Sequence, residues 1–444
     1  MTTHYQPTNL AVDPLEVFAN LAGQHENCFL LETLGDQEQP QTTGRSYIGI
    51  APRHLYTLRD NQLYKDNTLQ TGKAFELLQD VVAPQAGESS YCGGLVGFSS
   101  HEAVSYSEPS LHFHYSRLFP DAIYGQYDDG LIFAQGQPPQ YFYREKNRLE
   151  LYSKAHTAES SLSITYTDTQ KNQSSYEQMV RQARDDIQHG RVFQVVLANK
   201  LSYTFEGDLL LLYQELRRIN PSPFMFFMKV GDIVTMGASP ELLSYTNTSG
   251  RTYLEALAGT IRRGATTNED AQLAQQLLVD EKEVAEHRML VDLARNDIGR
   301  VSNIGSVQLD QLLYIKRLSH VQHICSIVSG QLPADRTAID AYLSVFPNGT
   351  LTGAPKIEAI KMISELEGSE RGPWGGSVGY FSYSGEAMHA VNIRSVSAVG
   401  RRLFMHSGSG IVYDSQPERE RTEVAEKKAA MDRAMTPFMK EKQP

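Results

Sequence analysis

Two pairs of glutamates carry the clearest chemistry in this sequence. Glu283 and Glu286 stand three residues apart in a helical pattern, and Glu420 and Glu423 repeat that spacing near the C-terminus. Residues three apart on a helix share a face, so each pair presents two carboxylates in one direction. Two such pairs across a cleft supply hard oxygen ligands for Mg²⁺, a cation that keeps several of its waters. A solvated helix face explains either pair taken alone, and Glu423 with Lys427 also has the spacing of a surface ion pair. His323 lies in the apolar stretch Val321–Val328, where a core histidine is the default. Gly408-Ser409-Gly410 follows a strand-like run and reads as a turn, or as a source of N–H groups for a carboxylate. Arg394 sits on an otherwise apolar strand-like segment. Such an arginine needs an anion, and a carboxylate gripped by two parallel hydrogen bonds satisfies it.

These residues need elements to hold them. One long helix is expected from about Asp270 to Ala294, carrying the first pair, and another from about Glu418 to Ala434, carrying the second. Ser174 and Glu177 have capping-box spacing, with Tyr176, Met179, Val180, Ala183 and Ile187 following at helical intervals. Gly190 ends that helix, and Val192–Leu197 reads as a strand. Further strands are expected at Gly376–Tyr383, Ala390–Ser395 and Leu403–His406. The first third reads as short strands, among them Cys28–Leu31, Ser46–Ile50, Leu131–Phe133 and Tyr141–Tyr143. Lys154–Ser175 is rich in Ser and Thr and reads as a linker. It divides an N-terminal region, 1–165, from a C-terminal region, 174–440, that holds both acidic pairs. Strands and helices alternate irregularly, which predicts an α+β fold rather than a βαβ repeat.

Composition narrows the function classes. Hydrophobic residues at 41% and charged residues at 21% are those of a folded chain. A net charge of −11 opposes a nonspecific nucleic-acid partner, which needs surplus Lys and Arg, but permits a locally positive site for a small anion. Cys28, Cys92 and Cys325 are far apart and form no CxxC pair, so neither a zinc nor a disulfide framework is expected. Gly353-Ala354-Pro355-Lys356 lacks the spacing of a phosphate loop. The N-terminus lacks an apolar signal core and no run has the length of a membrane span, so the expected location is the cytoplasm, without membrane contact.

The residues that carry these features fall inside longer motifs. Among them are Phe193–Leu197, Asn220–Pro223, Gly237–Glu241, Ala258-Gly259-Thr260 and Asp280–Glu283 leading to Ala285-Glu286-His287. Later come Leu290–Leu293, Arg295-Asn296-Asp297, Ser319–His323, Phe346–Thr350, Thr352–Lys356, and Gly408–Val412 with Asp414-Ser415. In that order they resemble the chorismate-utilising enzyme family. The resemblance implies a layered α/β sandwich, two packed antiparallel sheets with outer helices. It implies Mg²⁺ bound directly by Glu286 and Glu423 and through water by Glu283 and Glu420. It implies a substrate site of Gly259, Thr260, Trp374, Arg394, Gly408, Ser409, Gly410 and Lys427. Glu241 resembles the acid that helps the C4 hydroxyl leave, His323 the histidine associated with pyruvate removal, and Thr352 belongs to the same catalytic set.

Two positions choose among family members. Isochorismate- and salicylate-forming enzymes place a water-activating lysine where Gln194 stands, and aminodeoxychorismate-forming enzymes a nucleophilic lysine where Ala258 stands. Gln194 with Ala258 therefore resembles the anthranilate-forming members, which convert chorismate and ammonia to anthranilate and pyruvate in tryptophan biosynthesis. The alternatives are a 2-amino-2-deoxyisochorismate or 4-amino-4-deoxychorismate product, or a noncatalytic regulatory relative. Cys92 lacks a glutaminase pattern, so ammonia is expected from a separate glutamine amidotransferase subunit. Glu32, Thr33, Asn220, Pro221, Ser222 and Met225 resemble a tryptophan-binding, feedback site. Trp374 stands where the family usually has Tyr, Thr33 where it usually has Ser, and Glu386–His389 departs from the usual segment. Trp374 and Met388 are thereby expected to bear on product identity.

Overall fold

The computed structural model describes residues 2–34, 44–85, 87–88, 90–153, 160–169, 173–318 and 321–440. Its core consists of two antiparallel sheets, one 12-stranded and one 11-stranded. Strand Phe224–Val230 shows how the layers arise. Phe224, Phe226 and Met228 pack among Phe29, Tyr47, Val96, Tyr380 and Met388, between the sheets. Met225 and Phe227 point the other way, to Phe18, Tyr213 and Leu216 of the outer helices Pro14–Ala22 and Leu210–Ile219. A period of two in side-chain direction thus gives one strand two buried faces. The second sheet is covered on its outer side by helices Ala74–Val81, Glu281–Gly299 and Ala338–Val345. This is the expected α+β sandwich.

Most expected elements are present. Strands Asn27–Glu32, Arg45–Ile50, Asp129–Ala134 and Gln140–Tyr143 extend the four short runs read in the first third. Helix Gln173–Gln188 is followed by Gly190 at φ +79°, although the capping pair expected there starts at Ser174, whose side chain lies outside the described residues. Both sheets take strands from either side of the 165/174 division. Asn27–Glu32 pairs with Phe224–Val230 in one sheet, and Gly94–Ser99 with Ser377–Ser382 in the other.

Four local expectations are corrected. The linker contains a strand, Leu162–Thr169, which pairs with Gln194–Gly207 at the sheet edge; among its described side chains Ile164 alone is fully buried, so a polar composition conceals an edge strand. The long helix is two, Thr267–Val279 and Glu281–Gly299. Asp280 adopts an extended conformation (φ −71°, ψ 108°), and its side chain accepts hydrogen bonds from Lys282 N and Glu283 N, starting the second helix. The segment around Arg394 is not one strand. Ala387–Val391 ends, Arg394 takes φ +52°, and Ser395–Val399 begins in the opposite sheet. Gly408-Ser409-Gly410 is not a turn but lies inside strand Arg402–Ile411, opposite Ala198, Leu197 and Val196.

Candidate active site

A cleft of about 700 Å³ opens where the sheets meet helices Glu281–Gly299 and Pro417–Met435. The break at Asp280 places Glu283 in the first turn of one helix, and Pro417 at the start of the other places Glu420 likewise. There the N-terminal partial charge of each helix favours a carboxylate. All four glutamates of the two pairs line the cleft. Burial raises the Glu283 carboxyl above the usual carboxylate range, and Glu286 and Glu423 push it further. Burial also raises Glu420, against hydrogen bonds from Ser415 and Ser409, and its Oε2 is buried without a protein partner. Glu423 rests on Lys427 at 2.6 Å and Glu286 on Lys282 at 3.6 Å. Among the described residues no three His, Cys, Asp or Glu side chains converge tightly enough to enclose an ion. The donor set nevertheless suits a hard divalent cation, being all oxygen, mutually repelling and incompletely satisfied by protein.

Glu241 lies beside them on the cleft wall and is buried. Thr350 Oγ1 donates to its Oε1 at 2.5 Å and Asn348 Nδ2 at 2.9 Å. Burial pushes its pKa up to about 7, and Glu255 adds to the rise, while Thr350, Lys316 and Lys427 oppose it. Thr352 is not part of this arrangement. It is fully buried, its hydroxyl donates to the Asn348 carbonyl, and it does not border the cleft. Thr350, two residues earlier in the same tight turn, meets the carboxyl instead.

His323 is on the cleft wall rather than in closed core. Its Nδ1 lies 3.0 Å from the Gly259 carbonyl and 3.0 Å from Thr260 Oγ1. A carbonyl only accepts, so Nδ1 carries the proton and Nε2 the lone pair. Burial lowers its pKa to about 4, keeping the ring neutral. Gly259 is the extra residue of a β-bulge between Ala258 and Thr260. It adopts φ +66°, and a Cβ there would lie 3.1 Å from the Glu283 carboxylate. The bulge brings Gly259 and Thr260 to the cleft.

The cations stand on the opposite wall. Arg394 donates to the Lys427 carbonyl at 2.5 Å, and Lys427 Nζ to the Gly408 carbonyl at 3.1 Å. Burial pulls the Arg394 pKa to about 10, with Glu241 and Glu423 working the other way, so it stays cationic at neutral pH. Gly408 and Gly410 border the cleft; a Cβ at Gly408 would lie 2.6 Å from the Leu197 carbonyl, and one at Gly410 would lie 2.6 Å from the end of the flexible Gln194 side chain. Ser409 points away and shares a 2.9 Å hydrogen bond with the Tyr176 hydroxyl. Trp374 lies on the wall and stacks on His406 at 5.5 Å. Gln194 and Ala258 both border the cleft, as the choice among family members requires.

The residues read as tryptophan-binding lie on two neighbouring segments: Met225 is the cross-strand partner of Glu32, and Leu34 N donates to the Ser222 carbonyl at 3.1 Å. Glu32, Thr33 and Met225 border a separate, small inter-sheet cavity of about 40 Å³, with Arg45, Tyr380 and Met388. Asn220 borders the large cleft, and Pro221 and Ser222 border neither. Met388, expected near the substrate, faces this smaller cavity instead. Thr350, Asn348, Lys282 and His406 escaped the site reading. The first two lay in a motif already noted, and a threonine 109 residues from the acid it meets carries no periodic signal. Ser319 and His320 lie outside the described residues.

The family profile described as chorismate binding enzyme matches residues 6–433. Anthranilate synthase component 1 from Methanothermobacter thermautotrophicus is 38% identical over 433 residues, which span 95% of this chain and 92% of that protein. The crystal structure of anthranilate synthase component I from Streptococcus pneumoniae superposes with a TM-score of 0.79 at 30% identity, covering 96% of this chain and 98% of that one. The menaquinone-specific isochorismate synthase from Escherichia coli superposes at 0.75 with 20% identity, over 98% of this chain and 94% of its own, a likeness of fold alone.

Proposed function

Because this chain belongs to the chorismate-binding enzyme family, we propose that its cleft converts chorismate and ammonia to anthranilate and pyruvate, with Mg²⁺ as cofactor. The observation that carries this reading is the Glu241 carboxyl, buried and held near pKa 7 in a cleft where positions 194 and 258 are Gln and Ala. An amide and a methyl group offer neither the base for water attack nor the amine for a covalent adduct. Addition of ammonia at C2 is the branch that remains.

Chorismate is a dianion, and Arg394 and Lys427 offset its charge and orient it. Glu286 and Glu423 would hold Mg²⁺, with Glu283 and Glu420 behind a water layer; the cation would supply charge neutralisation at the ring carboxylate. Lys282 and Lys427 rest on these glutamates, and a metal on the carboxylates would compete with both lysines for them. Glu241 in its acid form donates a proton to the C4 hydroxyl, which leaves as water while ammonia adds at C2. The added nitrogen gives up its extra proton, which restores the Glu241 acid; the Nε2 lone pair of His323 then accepts the C2 proton as the C3–O bond breaks, and the released enolpyruvate takes that proton at its methylene carbon to become pyruvate.

The ammonia source is a separate glutamine amidotransferase subunit. The Cys92 thiol is buried against Ser382 and burial raises its pKa, the wrong direction for a glutaminase nucleophile. Tryptophan is the expected feedback inhibitor, with the inter-sheet cavity as its site. Among the described residues no helix is long and apolar enough to cross a membrane. The test is product analysis of the pure chain with chorismate, Mg²⁺ and ammonium at high pH. Pyruvate and a fluorescent aromatic amine in equal amounts are expected. An aminated product without pyruvate, or no turnover with any amine source, overturns the reading.

A further inference from the structure

Glu241 owes its place to an unusual connection. Strand Ile233–Ser239 belongs to the first sheet and strand Leu242–Thr246 to the second, and only Pro240 and Glu241 join them. The acid therefore sits on a two-residue crossover between sheets. Three contacts pin it. Ser239 Oγ meets Glu241 N at 3.3 Å, Val391 N donates to the Glu241 carbonyl at 3.0 Å, and Lys316 Nζ donates to the Pro240 carbonyl at 2.9 Å. The third comes from an ion pair. Lys316, only 5% exposed, also reaches both oxygens of buried Glu255 at 3.0 and 2.8 Å. Glu255 Oε1 is fixed in turn by Tyr314 OH at 3.2 Å and the Cys325 thiol at 3.1 Å. Lys316 is the direct cross-strand partner of His323, so one side chain touches the crossover that bears the acid and neighbours a histidine that lines the same cleft.

We propose that Lys316 and Glu255 form a positioning pair, which clamps the Pro240–Glu241 crossover and holds the Glu241 carboxyl in register with the His323 imidazole. The inference rests on Glu241 being the acid of the proposed reaction. A buried ion pair is a poor source of net stability compared with packed apolar residues, so its position beneath two catalytic groups calls for another role. The geometry divides the labour. Lys316 has three donors, two spent on Glu255 and one on the Pro240 carbonyl. Glu255 orients the ammonium so that the third donor faces the crossover. The charges that face Glu241 are Glu255 and Lys316 from the second sheet, Lys427 from the last helix and Arg394 from the inter-sheet turn. Deleting one member of the pair therefore leaves one sign of charge beside the acid.

The experiment is kinetic, on the full chain with ammonium, chorismate and Mg²⁺. Lys316→Met is expected to lower kcat by roughly 10- to 100-fold with a much smaller change in KM, because a displaced acid costs rate more than binding. Lys316→Arg, which keeps charge and donors, is expected to recover most of that loss. The alkaline limb of kcat/KM supplies the readout that a merely structural role would not move. It shifts to higher pH in Lys316→Met, where Glu255 repels the Glu241 anion, and to lower pH in Glu255→Gln, where Lys316 attracts it, by roughly one unit each. The double variant Lys316→Met/Glu255→Gln buries no lone charge and is expected to fold, confirmed by circular dichroism, with a low kcat and a limb near that of the wild type. A double variant with wild-type kcat, or single variants whose limbs fail to move in opposite directions, overturns the pair's role. A limb that persists in Glu241→Gln overturns the acid assignment itself, a distinct failure.

Discussion

The large cleft and the small inter-sheet cavity treat charge in opposite ways. In the cleft, Glu283, Glu286, Glu420 and Glu423 crowd together with few protein partners, and one oxygen of Glu420 has none. At the cavity, Glu32 is more deeply buried than Glu283, Glu286 or Glu423, yet fully engaged, by Tyr213 OH at 2.6 Å and by Arg217 at 2.9 and 3.2 Å. Burial raises both Glu32 and Glu241, but only Glu32 has an arginine pressing directly against it. Structural carboxylates are paired within the fold, because a buried unpaired charge costs several kcal/mol. Carboxylates left wanting partners are held for a ligand that brings the missing charge.

The largest test of that contrast is the metal. Glu286→Gln or Glu423→Gln is expected to cut turnover roughly a thousandfold, since an amide is a weak ligand for a hard dication. Near-normal rates under limiting Mg²⁺ in either variant would remove the cleft's assigned cation. Glu241→Gln is expected to lose roughly a hundredfold and to abolish the alkaline limb. Its pKa is raised to about 7, so the acid form prevails below that pH and is lost above it. Wild-type kcat/KM should therefore fall above about pH 7 once ammonia supply is held constant.

The cavity is tested by tryptophan titration of the steady-state rate. Thr33→Leu crowds its mouth and is expected to raise the half-inhibitory concentration roughly tenfold. No inhibition at millimolar tryptophan would leave the cavity as a packing defect. A stability comparison isolates the charges themselves. Glu241 takes up a proton on folding between its unfolded and folded pKa values, so its contribution to stability falls as pH rises from about 4.5 to about 7. Glu241→Gln should consequently be the more stable protein at pH 8, by roughly 1–3 kcal/mol, an advantage that disappears below pH 5. Glu32→Gln should destabilise by roughly 1–3 kcal/mol at pH 8, since it leaves Arg217 and Tyr213 short of an acceptor. Urea unfolding at both pH values reads both signs. The smallest effect belongs to Cys92, outside both regions. Cys92→Ser should change ammonia-dependent turnover by less than about twofold, and a large loss would revive a chemical role for the thiol.

The local language of the chain was legible where one interaction dominated. The glutamate pairs were readable because i,i+3 spacing fixes a shared helix face whatever the surroundings, and all four do line the cleft. The sandwich was readable through motif resemblance and alternating strands. Asp280 was misread because an aspartate inside a helical pattern is a neutral surface residue until its side chain turns back to cap the next helix. Gly408–Gly410 was misread because composition cannot tell a turn from a strand whose neighbours leave no room for Cβ.

Sequence by itself determined the inventory: acid pairs on helices, a neutral Gln194 and Ala258, an arginine where an apolar run should continue, and the family. Tertiary structure alone decided which groups meet. It chose Thr350 over Thr352 to hold Glu241, set His323 on a wall rather than in closed core, sent Met388 to the smaller cavity, and placed Lys316 against Pro240 from 76 residues away. The physical reason is that spacing controls direction only over a turn or a strand pair. Hydrogen bonds at 3 Å between distant segments depend on bulges, crossovers and sheet register, and those follow from how the whole core packs.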